Sequence, residues 1–440
     1  MKTLQKLTLL IFILIQVIGN SQTKDINIFA EKYNSILKKQ NKGIAILVRK
    51  NNKTEHISLG NFNLTEHSVF NIGSATKTFT AILILQEMEK GNIKLTDSIG
   101  KYLSPIKNVD PSLTIKSLLT HESGLDEVIG ENIEKIFYAK KDSLYNINLL
   151  NEVEKSNPKL KGKFNYCNTN YFLLGKIIEK VTDQNYFDLL RERIFIPINM
   201  KETYPYVHKN INNLATPFYK NKDVTSYIDY RYFANIAYAA GSIASTLSDM
   251  EIFYTSLFET EKLLQKETLK LMLESGNKTY GYGIFKFNFN NKNYYGHGGN
   301  NIGYAFRNEY NPTTKNLYLI FSNSKSITSK KAITSDLLAY VNDNSISNFK
   351  KIDLKKFKKY TGTYLLKEAN LTLKIIQENN KMYLVVDAQK VKSELIQKND
   401  KALYDTTVGV ILTQIEGDSN SLEFNQNGFK TVISKINSKN

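Results

Sequence analysis

The chain has 440 residues, of which 41% are hydrophobic and 23% charged, a balance that excludes a disordered or collagen-like chain and fits two or three folded domains. The net charge is +17, but only five of the 59 basic residues are Arg, and the Lys residues are spread along the chain. Because Arg is preferred for bidentate recognition of phosphates and bases, this charge indicates a solvated surface and argues against nucleic-acid binding. One Cys and five scattered His exclude an intrachain disulfide and indicate no metal site.

The first 21 residues have the pattern of a secretory signal peptide. Lys2 and Lys6 precede an apolar run, Leu7–Gly19, that is too short to span a membrane. Small residues follow this run and predict a cleavage point after Ser21. We expect a bacterial periplasmic or secreted protein, with an uncleaved membrane anchor as the alternative. ATP and NAD(P) are scarce outside the cytoplasm, so this location favours hydrolysis without a cofactor.

Residues 22–344 predict one sheet assembled from distant segments, with an all-helical lobe between them. An amphipathic helix at about Asp25–Lys39 precedes strands at Gly43–Arg49 and Thr54–Leu59, and a helical period runs from Ser74 to Glu89. After a mostly helical middle, strand patterns return. They cover Tyr280–Asn288, Asn293–His297, Tyr304–Tyr310 and Leu317–Ser322, before a helix at Ala332–Val341. A cleft is expected where sheet and lobe meet.

Residues 345–440 have the pattern of a small separate domain. A polar, Lys-rich bridge, Asn342–Lys359, precedes short alternating runs that are separated by turn residues. The runs are Leu371–Ile376, Met382–Val386, Ser393–Ile396, Val410–Ile415, Ser421–Phe424 and Thr431–Ile436. This pattern predicts a small antiparallel sheet or barrel, with the domain boundary near Asn344.

Ser74 and Lys77 form a Ser-x-x-Lys pattern at a predicted helix start. Residues three apart lie on the same helix face, so the Lys77 side chain can reach the Ser74 hydroxyl. A serine hydroxyl needs an adjacent base to become a good nucleophile, and a lysine can be that base where burial lowers its pKa. The pattern alone also fits Ser74 as a simple helix cap with Lys77 in solvent.

Two further motifs follow in a recognisable order. Tyr166-Cys167-Asn168 precedes a helix-like run, and the strand Asn293–Tyr295 leads through Gly296 into His297-Gly298-Gly299. With Ser-x-x-Lys, Tyr-x-Asn and His-x-Gly in this order, the chain resembles the serine β-lactamase and penicillin-binding-protein superfamily, in its class C, D-peptidase and esterase branch. The resemblance implies an α+β fold, an antiparallel sheet flanked by helices plus the all-helical lobe. Tyr360–Tyr364 resembles part of the small, lipocalin-like β-barrel often fused to such hydrolases.

The resemblance implies a role for each matching residue. Ser74 would be the acylated nucleophile, Lys77 its base and Tyr166 the proton shuttle to the leaving group. The substrate-binding residues would be Asn168, His297 and Gly299. The backbone N–H groups of Ser74 and Asn300 would form the oxyanion hole. Of the remaining candidates, His121 is interpreted as ordering its loop and Cys167 as packing in the interior.

The third motif departs from its usual Lys-Thr-Gly or Lys-Ser-Gly form, in which a cation and a hydroxyl hold a substrate carboxylate. Here His297 can supply a charge only below about pH 6.5, and Gly298 has no hydroxyl. We therefore predict that neutral esters are turned over better than carboxylate-bearing β-lactams at about pH 7–8.

The favoured function is a secreted serine hydrolase that forms an acyl-enzyme on Ser74 and cleaves a small ester or a D-amino-acid peptide. Its substrate would be a small molecule or peptide, including one derived from peptidoglycan; nucleic acid is not expected as a partner, and no membrane span is expected after signal cleavage. One alternative is a true β-lactamase or DD-carboxypeptidase. Another is a catalytically silent protein that binds peptidoglycan fragments.

Overall fold

The computed structural model describes residues 26–436, except 27–28, 35, 39, 129–150, 152, 154–155, 220, 290, 326–329, 343–351, 390, 406–409 and 427–428. The predicted signal peptide lies outside the described residues. The chain divides into two compact units, one made of residues 37–326 and the other of residues up to 36 together with 327–440. No described helix combines the length and the apolar content needed to cross a membrane.

Residues 37–326 form strands at both ends of their unit and helices between them. The strands are β1 (Gly43–Lys50), β2 (Lys53–Gly60), β3 (Phe70–Asn71), β4 (Phe218–Tyr219), β5 (Lys222–Asp223), β6 (Ala244–Ser245), β7 (Phe285–Phe289), β8 (Lys292–Gly296), β9 (Gly299–Asn301), β10 (Tyr304–Tyr310) and β11 (Leu317–Ser322). The helices are α1 (Thr76–Glu89), α2 (Ile115–Leu119), α3 (Asn168–Thr182), α4 (Tyr186–Leu190), α5 (Tyr238–Gly241), α6 (Leu247–Glu259) and α7 (Lys266–Glu274). The predicted mixture of sheet and helical lobe is confirmed.

One antiparallel sheet carries the order β2-β1-β11-β10-β8-β7, and β9 pairs with β10. Strand β1, which has a neighbour on each side, is buried along nearly its whole length, whereas β2, at the sheet edge, is mostly exposed or half-buried. The β1–β2 turn consists of Asn51 and Asn52, both with positive φ. Because a two-residue hairpin turn of this kind requires positive φ at both positions, which Asn tolerates, the turn sets the register of the two strands.

Helix α1 runs through the interior of the unit and carries Lys77 there. Its first ten residues, 76–85, are all buried, and its polar side chains find partners on other elements. Thr78 donates to the carbonyl oxygen of Gly283 at 2.7 Å, and Thr80 to that of Ala239 at 2.7 Å. The helix was expected from Ser74, but a single 3₁₀ turn, Gly73–Ala75, carries Ser74 and α1 begins at Thr76.

The other unit contains a helical segment among residues 29–36, α8 (Lys330–Val341), α9 (Leu354–Phe357) and a closed barrel. The barrel strands are β12 (Gly362–Leu366), β13 (Leu371–Glu378), β14 (Lys381–Val386), β15 (Val391–Asn399), β16 (Ala402–Asp405), β17 (Val410–Ile415), β18 (Asp418–Gln426) and β19 (Phe429–Lys435). The predicted small all-β region is confirmed, although β12 and β16 were outside the predicted runs. The structure divides the units at 326–327, and the domain boundary near Asn344 stays a prediction.

Candidate active site

Lys77 connects the first two motifs at the start of α1. Its Nζ atom lies 3.2 Å from Ser74 Oγ, 2.6 Å from Asn168 Oδ1 and 2.8 Å from the carbonyl oxygen of Ala240. The Lys77 side chain is fully buried, while Ser74 is half-buried. The structure therefore brings together the Ser-x-x-Lys and Tyr-x-Asn motifs, which are about 90 residues apart in the chain.

The three contacts of Lys77 suit a neutral amine. Burial lowers the pKa of Lys77 to about 7, against the effect of the Glu127 carboxylate, which raises it. A neutral amine has two N–H donors and one lone pair, and the oxygens of Asn168 and Ala240 can only accept. In the ammonium form Lys77 donates its third N–H to Ser74 Oγ, and in the neutral amine the lone pair is left to accept from the Ser74 hydroxyl. This is the arrangement that a general base for Ser74 requires.

Tyr166 is a neutral phenol beside the nucleophile. Its ring centroid lies 5.0 Å from Lys77 Nζ and 4.3 Å from the ring centroid of His121, and the ring stacks with Phe285. Burial raises the pKa of Tyr166 well above its usual range, and the adjacent Ser74 hydroxyl opposes that rise. A phenol with a raised pKa stays protonated and offers no phenolate to take the Ser74 proton, so of the two groups near Ser74 the amine is the better base.

Glu127 holds the second motif in place and was not singled out from the sequence. Its Oε2 atom accepts hydrogen bonds from the Asn168 backbone N–H at 2.9 Å and from Asn168 Nδ2 at 3.0 Å. A carboxylate at the N-terminus of α3 is favoured by the helix dipole, and this contact turns Asn168 Oδ1 toward Lys77. One amide N–H of Asn168, predicted to bind substrate, is thus engaged by Glu127. The two residues are 41 positions apart, so no local pattern indicated the contact.

His297 is buried and both its ring nitrogens are engaged. Nδ1 lies 2.7 Å from the carbonyl oxygen of Gly298, to which it must donate, so Nε2 accepts from the Tyr280 hydroxyl at 3.0 Å. Burial lowers the pKa of His297 to about 3, and the positive charges of Arg307 and of Lys77 in its ammonium form contribute. The expectation of a charge on this ring below about pH 6.5 is therefore wrong, because the ring stays neutral far below that pH. The predicted role of His297 in substrate binding would require the ring to give up one of these partners.

Two glycines let β9 approach the turn that carries Ser74. A side chain at Gly299 would lie 1.8 Å from the carbonyl oxygen of Ile72 and 2.7 Å from Ser74 N. A side chain at Gly73, whose φ is +53°, would lie 2.8 Å from Asn300 N. The backbone N–H groups of Ser74 and Asn300 thus belong to two segments in close contact, as the predicted oxyanion hole requires.

Arg307 is a cation that the sequence reasoning left out of the site. It follows Phe306 on β10, which pairs with Gly299, and Gly298 directly precedes β9, so Arg307 and Gly298 lie side by side just beyond the last β9–β10 pair. A side chain at Gly298 would lie 3.7 Å from Arg307 Nη1. The Arg307 side chain is exposed, and it makes no hydrogen bond or ion pair to any residue that the structure describes. Strand β10 therefore places a cation beside the third motif, whose own residues carry no charge.

His121 and Cys167 fit the interpretations given to them from the sequence. His121 Nδ1 lies 3.1 Å from both Cys167 N and Asn170 Nδ2, and the His121 carbonyl oxygen accepts from Asn165 N, so the residue organises the loop before Tyr166. Cys167 is buried, and burial raises the pKa of its thiol to about 11. Such a thiol is unreactive, in keeping with a packing role. Among the described residues, no cluster of His, Cys, Asp and Glu could hold a metal ion.

Fold and site together define a serine hydrolase of the β-lactamase and penicillin-binding-protein class, since the sheet, the helical lobe and the Ser-x-x-Lys, Tyr-x-Asn and His-x-Gly motifs meet around Ser74. The family model described as Beta-lactamase matches residues 28–340. The chain therefore belongs to the Beta-lactamase family.

Curated relatives include penicillin-binding proteins and a teichoic acid D-alanine hydrolase. Penicillin-binding protein 4* of Bacillus subtilis is 26% identical over 392 residues, which cover 79% of this chain and 84% of that protein. The teichoic acid D-alanine hydrolase of Staphylococcus aureus is 28% identical over 219 residues, covering 49% of this chain and 52% of that protein. A further Bacillus subtilis relative, PbpX, is matched over 62% of its length. The chain thus spans less than two thirds of two of these three relatives.

Solved structures show the same fold. The D-amino acid amidase of Ochrobactrum anthropi superposes with a TM-score of 0.62 at 21% identity, covering 73% of this chain and 99% of the amidase. The octameric penicillin-binding protein homologue of Pyrococcus abyssi superposes with a TM-score of 0.60 at 21% identity, covering 95% of this chain and all of the homologue. At these identities the likeness supports the fold and leaves the substrate open.

Proposed function

We propose that the protein hydrolyses an ester or amide of a D-amino acid through an acyl-enzyme on Ser74, outside the cytoplasm. The observation that carries the proposal is the set of contacts around Lys77. Two carbonyl oxygens occupy the N–H groups of its neutral amine, and the lone pair is left for the Ser74 hydroxyl. A base aimed at the nucleophile in this way is what acyl transfer needs.

In the proposed reaction, Ser74 Oγ attacks the substrate carbonyl carbon while its proton passes to Lys77 Nζ. The backbone N–H groups of Ser74 and Asn300 hold the resulting oxyanion. Tyr166 donates its phenolic proton to the leaving alcohol or amine and is reprotonated from Lys77. Water then attacks the acyl-enzyme with the same groups in reverse, which releases the acid and restores Ser74.

The charges of the site favour an acyl group that carries a free amine. Lys77 with a pKa of about 7 is largely neutral at slightly alkaline pH, and Tyr166 and His297 are neutral, while Glu127 places a carboxylate beside Asn168. A negative charge there attracts an ammonium group and repels an anionic acyl group. The names of two similar proteins, a teichoic acid D-alanine hydrolase and a D-amino acid amidase, mention such acyl groups and so support the proposal.

The β-lactamase or DD-carboxypeptidase alternative is favoured by one observation, the Arg307 cation beside Gly298. Both kinds of substrate carry a carboxylate, and an arginine can bind it. The silent-binding alternative has less support, because Ser74, Lys77 and Tyr166 are all present and in contact.

A hydrolysis panel tests these functions. It compares D-alanine methyl ester and D-alanine amide with a chromogenic cephalosporin, short-chain p-nitrophenyl esters and a D-Ala-D-Ala peptide, each with the Ser74→Ala variant as control. We expect the D-alanine ester to have the highest Ser74-dependent kcat/KM, and a serine probe to label the peptide that contains Ser74. A cephalosporin turned over faster than every ester would support the β-lactamase alternative. No Ser74-dependent turnover of any substrate would support the silent protein.

The proposed location has its own test. N-terminal sequencing of the protein recovered from the envelope or medium of an expressing bacterium should begin at Gln22. A cytoplasmic product that retains Met1 would contradict it.

A further inference from the structure

A second cavity lies away from the catalytic motifs, in the segment that follows α4. Its volume is about 390 Å³, and all the residues that line it fall between Arg191 and His208. Sites for small molecules typically enclose about 300–1,000 Å³, so this cavity is large enough to hold one. None of its lining residues belongs to the three motifs around Ser74.

Backbone hydrogen bonds fix both walls of this cavity. On one side α4 continues into a π-helical turn, Arg191–Phe195, and Met200 N donates to the Phe195 carbonyl oxygen at 2.9 Å. On the other side Tyr204 exchanges two backbone hydrogen bonds with Ala244 on β6, at 2.8 and 2.9 Å. Because both walls are held in this way, the cavity does not have to be assembled by its ligand.

The interior of the cavity is apolar and aromatic. Phe195 is buried in its wall, whereas Ile196 at its rim is 71% exposed. The ring centroid of Tyr206 lies 6.5 Å from that of Tyr230, which is 55% exposed, and 6.0 Å from that of His208. Burial lowers the pKa of His208, so this ring is neutral at neutral pH. Large apolar side chains exposed beside a cavity indicate a site for an apolar group.

The charges on the lining residues are positive. Lys201 is exposed, and its side chain has no hydrogen bond or ion pair with any residue in the described part of the chain. Arg191 pairs with Asp188 through Nη1 alone, at 2.7 Å. The neighbouring acids Glu192 and Glu202 do not line the cavity, and Glu202 is bonded to His67. An anion at the rim would therefore meet two cations and no lining carboxylate.

We propose that this cavity binds an anionic amphiphile, a single aliphatic chain that ends in a phosphate or a carboxylate. The chain would pack against Phe195, Ile196 and Tyr206, where it leaves water, and the anionic head would contact Lys201 and Arg191. The apolar wall supplies affinity, and the cations select an anionic head over a neutral one. The inference goes beyond the proposed function and does not depend on it.

Four probes separate the contribution of the chain from that of the head. They are decyl phosphate, decanoate, decyl maltoside with a neutral head, and inorganic phosphate without a chain. Isothermal titration calorimetry of the full chain, with each amphiphile below its micelle concentration, measures Kd and stoichiometry. We expect at least one anionic amphiphile to bind at one site per chain, about five- to thirtyfold tighter than decyl maltoside and tighter than inorganic phosphate.

Two variants locate the binding in the cavity. Lys201→Ala should weaken binding of the anionic amphiphile about five- to thirtyfold and leave decyl maltoside unchanged. Ile196→Ser should weaken both, because it removes part of the apolar rim. The matched controls, Lys266→Ala and Leu271→Ser, alter an exposed lysine and a partly exposed leucine on α7 that do not line the cavity. They should bind every probe as the wild type does.

Thermal melts check that each variant is folded, which is expected because the substituted side chains are at the surface. A preference for decyl phosphate or for decanoate would identify the head group. Three results would each overturn the inference: no binding of either anionic amphiphile, equal affinity for the neutral and anionic amphiphiles, or affinities that Lys201→Ala and Ile196→Ser leave unchanged.

Discussion

At Lys77, burial disfavours the ammonium, and the hydrogen bonds are compatible with the neutral amine. Removing water disfavours the ammonium, and the two carbonyl oxygens are satisfied by a neutral amine as well as by a charged one. Glu127 acts in the opposite direction, since its negative charge stabilises the ammonium. The pKa of Lys77 is therefore set by two opposing effects, burial and the charge of Glu127, and a substitution that weakens one of them shifts the pKa.

We predict that Lys77→Ala slows acylation of Ser74 by about 10²–10⁴-fold, the usual size of a lost general base, and that Tyr166→Phe slows it too. Stopped-flow mixing with an active-site serine probe measures the rate, and circular dichroism checks that each variant is folded. A folded Lys77→Ala protein acylated at the wild-type rate would show that another group accepts the proton.

We also predict that kcat/KM for a neutral ester rises as pH increases through about 7. The amine must be unprotonated to accept the Ser74 proton, and its pKa is lowered to about 7, so activity is lost below that pH. A pH–rate profile measures the inflection. An inflection near the ordinary lysine value would mean that the amine is not desolvated in the working enzyme.

Glu127→Gln should move that inflection to lower pH. Glutamine can still accept a hydrogen bond from Asn168, but the charge that raises the pKa of Lys77 is gone, so the amine deprotonates more easily. The matched control is Glu122→Gln in the same loop, whose carboxylate binds the Thr120 hydroxyl and does not affect Lys77. If both variants keep the wild-type inflection, Glu127 has no influence on the base.

At the scale of elements, the site depends on how closely β9 approaches the turn Gly73–Ala75. This short strand, Gly299–Asn301, brings Asn300 to the nucleophile because neither Gly299 nor Gly73 has a side chain. Glycine is required at these positions because backbone atoms of the opposite segment lie where a side chain would be, so a single methyl group is enough to push β9 away from the turn.

Gly299→Ala is therefore expected to lower kcat/KM by about 10²–10³-fold, the effect of losing one oxyanion donor, and to lower Tm. Gly91→Ala is the control for activity, because no atom lies within 4 Å of its added methyl, and its positive φ, which Gly299 does not share, is expected to lower Tm without lowering kcat/KM. Kinetics on a neutral ester and thermal melts measure both. Wild-type activity in Gly299→Ala would mean that β9 does not form the oxyanion hole.

Strands and helices whose apolar residues recur at a regular spacing could be predicted from the sequence, and so could the contact between Ser74 and Lys77, which are three residues apart. Strands β10 and β11 occupy the predicted residues, and Lys77 reaches Ser74 across three positions. The short strand β9 was missed, because three residues are too few to show a period. Glu127 and Arg307 were missed because their contacts depend on how distant segments meet, which residue type alone does not indicate.

At the scale of the whole chain, the helical segment before β1 belongs to the same unit as α8. Lys32 Nζ at 2.5 Å and the Tyr33 hydroxyl at 2.6 Å both donate to Asp336 Oδ2. Burial lowers the pKa of Lys32 to about 8, although Asp336 opposes this. A buried Lys32 ammonium is stable only beside the Asp336 carboxylate, so removal of Asp336 is expected to destabilise the helical segment before β1.

A chain ending at Asn344 is predicted to stay soluble and to retain Ser74-dependent ester hydrolysis. The truncation removes the barrel but keeps Lys32, Tyr33 and Asp336 together. A chain ending at Ser326 lacks Asp336 and should be less stable, which thermal melts would show. Insolubility and loss of activity in the longer truncation would show that residues 345–440 are needed for the hydrolase to fold.

The order of the sheet has a consequence for the behaviour of the protein at high concentration. A closed barrel has no unpaired edge, but the sheet in residues 37–326 ends in β2 and β7. The start of β7 is bonded to Thr279 and Tyr280, so the backbone groups that can pair with another chain are those of β2 and of the later part of β7, residues 287–289. On β2, Lys53 and Glu55 put charges along that edge. Strand β7 alternates Phe285, Phe287 and Phe289, all partly exposed, with a single charge at Lys286. Self-association during concentration or refolding is therefore expected to begin at β7, and a second charge in place of Asn288 is the substitution that would suppress it.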